Sequence, residues 1–137
     1  MKERYESPLA GRYASDFMLE LFSEKNRHIL WRKLLVELAR AEHELGLPIT
    51  SEQVEELEAH ITDIDYAVVS AKEKEIRHDV MAHIYAYGEV CPKAKGIIHL
   101  GATSCYVTDN ADLILYRQAL SYIRNELWHV ISILKDF

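Results

Sequence analysis

The strongest constraint on this chain is a heptad repeat running through its last 25 residues. Leu113, Leu120, Leu127 and Leu134 recur every seven positions, and Tyr116, Ile123, Val130 and Phe137 each follow three residues later. Steps of three and four make the a/d seam of helices that pack side by side, here sustained over nearly four heptads. Ile114, Leu115, Ala119, Trp128, Ile131 and Ile133 widen the apolar surface beyond the seam. A helix apolar over so much of its circumference needs neighbours on more than one side. Thr108 or Asp109 is the candidate N-cap, with the helix continuing to the chain end. The plainer reading packs the whole helix on residues 1–107. However, about 30 helical residues reach ~45 Å, whereas a core of ~100 residues has a radius of gyration of only ~13 Å. Much of the helix is therefore expected to overhang its own domain and meet other chains. The pattern stops at Lys135-Asp136-Phe137 without Gly, Pro or a capping residue, so the chain reads as a fragment of a longer polypeptide.

The remainder also reads as helix, which makes the fold class all-α. Gly and Pro number only five and three and fall where helices should stop. Residues 1–14 read as irregular, followed by a short helix over Asp16–Phe22. Ser23 is placed to cap a helix to Leu45, ended by Gly46, with an apolar stripe of Leu30, Leu34, Leu38, Ala41 and Leu45. Thr50 and Gln53 have capping-box spacing for a helix of about ten residues. Asp65 can cap a helix from Tyr66 to about Ile76, and Asp79 a further one to about Tyr87, closed by Gly88 and Pro92. Residues 92–107 read as a structured loop.

Charge and segment composition exclude several functions. A net charge of −6 argues against nucleic-acid binding, whose affinity comes from a basic face. No stretch approaches the ~20 apolar residues of a membrane span. The opening residues MKERYESPLAGRY are too polar for a secretory signal, which points to a cytoplasmic protein. Cys91 and Cys105 lack CxxC spacing and read as reduced, structural thiols.

Three clusters carry the residue types that chemistry needs. Gly11-Arg12-Tyr13-Ala14-Ser15 sets a cation and an aromatic beside a helix start, which suits an anion such as phosphate; the plainer reading is a solvated surface arginine. Arg77-His78-Asp79, at a helix junction, can bind an anion, orient an imidazole and accept a hydrogen bond, or Asp79 is simply an N-cap and Arg77 an exposed helix end. In His99-Leu100-Gly101-Ala102-Thr103-Ser104, a glycine permits close backbone approach and two hydroxyls can clasp a carboxylate, unless they merely cap the long helix. A metal site is not expected: His78 and His83 project ~140° apart on a helix, unlike an i,i+4 pair. His28, His43, His60 and His129 read as surface or packing residues.

The segments SPLAGRYAS, LGLPIT, RHDVMAH and PKAKGIIHLGATSCYVTDNADL, in this order and spacing, resemble the adenylosuccinate lyase family across essentially the whole chain. HLGATS followed by a long helix is shared with the wider fumarase and aspartase superfamily, and RHDVMAH with GRYAS narrows the match. The resemblance implies a nearly all-helical subunit in which residues 1–111 form the amino-terminal domain. Residues 112–137 would open a central bundle built from four subunits, a homotetramer whose active sites each draw on three of them. It implies β-elimination of fumarate from adenylosuccinate, giving AMP, and from succinylaminoimidazole carboxamide ribotide, giving AICAR, with no metal or organic cofactor. Arg12 and Tyr13 would bind the phosphate end. Arg77, His78 and Asp79 would line the pocket, with His78 supporting the chemistry. Thr103 and Ser104 would grip the succinyl carboxylate, in a loop His99 orients. The family's principal catalytic His and its mobile loop with the catalytic Ser have no counterpart here, so the fragment alone is expected to be inactive. The competing readings are another member of the superfamily, such as an argininosuccinate lyase, and a non-catalytic helical oligomerisation module.

Overall fold

The computed structural model describes residues 7–137. Every regular element among them is helical. A π-helical turn, Leu9–Tyr13, is followed by α1 (Asp16–Leu21), α2 (Glu24–Glu44), α3 (Ser51–Ala59), α4 (Tyr66–Ile76), α5 (Asp79–Val90) and α6 (Ser104–Asp136). Expectations over residues 1–6 lie outside the described residues.

Local chemistry sets most boundaries. Ser15 Oγ accepts from the Met18 N–H at the start of α1, and Ser23 Oγ from the Asn26 N–H at the start of α2. Gly46 at φ +84° takes the left-handed conformation that stops α2. Thr50 and Gln53 form the reciprocal capping box of α3, and Asp65 Oδ1 accepts from both Ala67 and Val68 N–H at α4.

Four expectations are corrected. Residues 9–13 are a π-helical turn, not irregular chain. Asp79 does not cap α5. His78 does, accepting from the Met81 N–H through Nδ1, while Asp79 is the first helical residue. Gly88 ends nothing, because α5 runs through it to Val90; a Cβ there would come within 2.8 Å of Lys95 Cγ, so the glycine makes room for that side chain. Thr108 and Asp109 do not start α6, which begins at Ser104 inside the expected loop. The Thr108 hydroxyl instead donates back to the Ser104 carbonyl at 3.3 Å.

The chain divides into two compact units, residues 28–111 and residues 1–27 with 112–137. The 28–111 unit buries Trp31, Leu35, Val36 and Ala39 of α2, Leu57 of α3, Val69 of α4, Ala82, Ala86 and Tyr87 of α5, and Val107 and Ala111 of α6. Each large aliphatic buried this way contributes roughly 1.5–3 kcal/mol. The expected α2 stripe is displaced round the helix. Leu30 is buried as expected, but Leu34 and Leu38 are only half-buried, and Ala41 and Leu45 are exposed. At the centre of the true stripe sits a charge: Arg32 is 3% exposed. Its Nη1 donates to the carbonyls of His60 (2.6 Å) and Asp63 (2.9 Å), and its guanidinium lies 4.1 Å from the centroid of the Tyr87 ring. The Tyr87 hydroxyl in turn donates to the Leu57 carbonyl at 2.5 Å. One side chain thus ties α2 to the α3–α4 turn and to α5, and burial pushes its pKa below the ordinary arginine value.

In the other unit, Leu21, Leu115 and Ala119 are buried. The Phe17 ring stacks on Tyr122 at 4.6 Å, and Arg27 pairs with Asp112 at 3.4 Å. The heptad seam takes no part in this packing. From Leu113 to Leu134 its seven residues are 46–67% exposed.

Candidate functional site

The tightest of the three clusters is the corner between α4 and α5. Arg77 closes α4 in the left-handed conformation (φ 56°, ψ 41°), its N–H bonded to the Glu73 carbonyl at 2.7 Å. Only His78 then separates it from the first residue of α5. The turn can be this short because a non-glycine residue holds positive φ, a conformation that costs about 1 kcal/mol. Val69, Ala82 and Ala86, with Ile64 and Val68 against them, pack α4 on α5 and hold the corner.

The three polar side chains here have different freedom. His78 Nδ1 accepts from the Met81 N–H at 3.4 Å and lies 3.6 Å from Asp79 Oδ1. Acceptance at Nδ1 puts the proton of the neutral ring on Nε2, leaving that nitrogen as a donor. Asp79 Oδ1 accepts from the Val80 N–H at 2.7 Å. The exposed Arg77 guanidinium has no hydrogen bond or ion pair among the described residues.

The second cluster is the turn into α6. His99 (φ 67°) and Gly101 (φ 66°) both occupy the left-handed region. His99 Nε2 bonds the Thr103 carbonyl at 2.9 Å, and so must carry the proton. The Tyr106 N–H closes on the same carbonyl at 2.9 Å. The result is a turn fastened by an imidazole, with Thr103 exposed and Ser104 half-buried at the head of a 33-residue helix. The first N–H groups of such a helix lack intrahelical partners, which suits a carboxylate or phosphate. Only two non-glycine residues with positive φ occur among those described, Arg77 and His99, one in each cluster. Arg12 and Tyr13, the third cluster, lie exposed on the π-helical turn of the other compact unit.

A fourth group was not legible beforehand. The His28 and His83 rings lie 3.9 Å apart, with Trp31 5.1 Å from His28 and 5.3 Å from His83. Tyr66 completes the cluster, its hydroxyl 3.3 Å from His28 Nδ1. Burial, then His28, then Arg32 push the His83 pKa down to about 4, against the pull of Asp79. Of the two readings open for His28, surface or packing, its ring contacts with Trp31 and His83 fit the second. His83 is a neutral aromatic wall rather than a ligand, and only its i+4 spacing from Asp79 hinted that it lies beside the corner.

The thiols divide unequally. Cys91 is buried, with its pKa pushed up to about 11 by burial, whereas Cys105 is exposed. Among the described residues no three His, Cys, Asp or Glu side chains are grouped as metal ligands. No helix is long and apolar enough to cross a membrane.

No family model matches the chain. Curated relatives do. The chain is 53% identical over 98% of its length to adenylosuccinate lyase of Saccharomyces cerevisiae and 52% identical over 97% to that of Schizosaccharomyces pombe. It is 37% identical over 94% to that of Pyrococcus horikoshii. It spans 28–29% of the length of these three relatives.

Proposed function

The chain belongs to the adenylosuccinate lyase family, and from that premise we propose that it is the amino-terminal segment of a fumarate-releasing C–N lyase. Residues 1–111 form the first domain and residues 112–137 begin the central long-helix bundle of a cytoplasmic homotetramer that acts in purine biosynthesis. The full polypeptide removes a proton from the carbon beside one succinyl carboxylate. The C–N bond then breaks, the nitrogen leaves protonated, and fumarate departs. The products are AMP from adenylosuccinate and AICAR from the succinylated carboxamide ribotide.

The observation that carries this reading is the division of labour within the two clusters. His78, Asp79 and His99 are engaged in holding backbone, while the functional ends of Arg77, Thr103 and Ser104 have no partner among the described residues. That is how preorganised groups wait for a ligand. In the proposed assignment Thr103 and Ser104 hold the succinyl carboxylate, whose charge grows as the carbon is deprotonated. Arg77, His78 and Asp79 line the pocket, with the Nε2 side of His78 available to the reaction, and Arg12 and Tyr13 take the phosphate. The remaining catalytic His and Ser come from the part of the enzyme this chain does not span, so the segment alone is inactive.

Arg12→Ala in the full-length enzyme tests the assignment. Loss of a charge-assisted phosphate contact should raise the Michaelis constant by about 10–100-fold, with a smaller effect on kcat. A Michaelis constant unchanged within error removes Arg12 from the site.

A further inference from the structure

The turn read as a carboxylate clasp lies against a carboxylate of the chain's own. Gly101 sits at φ +66° between His99 and Thr103. A Cβ built on it would meet one non-neighbouring atom within 4 Å, Glu42 Oε1 of α2, at 3.7 Å. The other oxygen, Oε2, is fully buried and has no hydrogen-bond partner among the described residues. This chain itself encloses that oxygen, so the part of the relatives it does not span cannot supply the missing partner.

Nothing nearby neutralises Glu42. The residues three and four positions away on α2 and just past its end are Leu38, Ala39, Leu45 and Gly46. Burial raises its pKa above the ordinary carboxylate value, with no cation pulling it back. Tyr106, in the first turn of α6, feels the same carboxylate: burial first, then Glu37 and Glu42, raise the pKa of its hydroxyl. That hydroxyl already donates to the Leu34 carbonyl at 3.0 Å, so it is not a donor to Glu42. The negative charge therefore lies beside the turn uncompensated. Gly101 precedes Thr103 by two residues and Ser104 by three. A carboxylate held by those hydroxyls thus lies on the order of 10 Å from Glu42, about one Debye length at physiological ionic strength.

We infer that Glu42 is a specificity-determining residue of the turn: its carboxylate repels the carboxylate bound there, which holds down affinity for the dicarboxylate product and favours its release. The inference rests on the proposed carboxylate role of Thr103 and Ser104. It asks nothing of the phosphate end, and that difference makes it testable.

Glu42→Gln in the full-length enzyme keeps the shape of the side chain and removes the charge. Inhibition constants for fumarate and for AMP are measured separately at pH 8, where the carboxyl is ionised. Fumarate should bind E42Q about threefold to tenfold tighter than the wild type, with AMP unchanged within error, because AMP carries no succinyl carboxylate. Added salt should narrow the fumarate difference. E42M, apolar and unbranched, should repeat the gain, which separates loss of charge from any new bond made by the amide. Fumarate bound equally or more weakly by both variants, or fumarate and AMP tightened alike, would overturn the inference and leave the lyase reading standing. A wild type that fumarate does not inhibit would remove the carboxylate role of the turn, and the inference with it.

Discussion

The imidazole rings of His28 and His83 lie 3.9 Å apart at a 37° tilt, so the pair cannot accept two protons without setting like charges face to face. His28 and Trp31 come from α2, Tyr66 from α4, and Asp79 and His83 from α5, with Arg32 adding positive charge. The folded pKa of His83, about 4, lies below the ordinary 6.5. The unfolded chain therefore binds this proton first as pH falls. The native state loses nothing on this account above pH ~6.5 and is progressively destabilised down to about 4. The full shift would be worth roughly 3 kcal/mol for a fully buried ring, and partial solvent contact reduces this to about 1–2 kcal/mol. Urea midpoints of the wild type and His83→Phe at pH 7 and pH 5 should show the variant losing about 1 kcal/mol less between the two conditions. Identical pH slopes would mean that the ring is solvated.

Arg32 should be among the costliest residues to truncate. Arg32→Ala removes two charge-assisted bonds to the His60 and Asp63 carbonyls together with the stack on Tyr87. A loss of about 3 kcal/mol is expected on chemical denaturation. Arg32→Lys should recover less than half of it, because a single ammonium cannot bond both carbonyls and lie flat on the ring. A loss below about 1 kcal/mol for Arg32→Ala would show that the guanidinium does not fasten the α3–α4 turn.

The Asp65 cap gives a local test. Asp65→Ala leaves the Ala67 and Val68 N–H groups without their shared acceptor and should cost about 1 kcal/mol, with Asp65→Ser restoring most of it. Equal stability of wild type and Asp65→Ala would place the start of α4 elsewhere.

How much could be read in advance follows from how local each determinant is. Thr50 with Gln53, and Asp65, announce helix starts because the capping chemistry lies within three residues of itself. The phase of α2 could not be read the same way. Leucines lie on two adjacent flanks of that helix, and the centre of its buried face is an arginine, which periodicity assigns to solvent. Arg32 is buried because carbonyls 28 and 31 residues away accept its bonds. The cap of α5 was misplaced for a related reason. An aspartate in the right position outranks a histidine by preference, yet the left-handed Arg77 shifts the helix start so that His78 takes the cap. At the site, residue type alone marked Arg77, His78, Asp79, Thr103 and Ser104 as candidates. It did not reveal that positive φ at Arg77 and His99 sets the geometry of both turns.

His78 is the residue at which fold and proposed chemistry overlap, and one substitution separates them. Asparagine can supply the cap acceptor without an imidazole, so His78→Asn should change stability by less than about 0.5 kcal/mol. In the full-length enzyme it should lower kcat by 100-fold or more if the ring assists proton transfer. Loss of stability and activity in parallel would mean that His78 serves the fold alone.

The most direct test of the whole account is fumarate release from adenylosuccinate, measured for the 137-residue chain alone and for the full-length polypeptide that contains it. The full-length protein should release fumarate and AMP in equal amounts, and the chain alone should release neither above a blank. Turnover by the isolated chain, or no turnover by the full-length protein, would contradict the proposal that this segment contributes only part of a lyase active site.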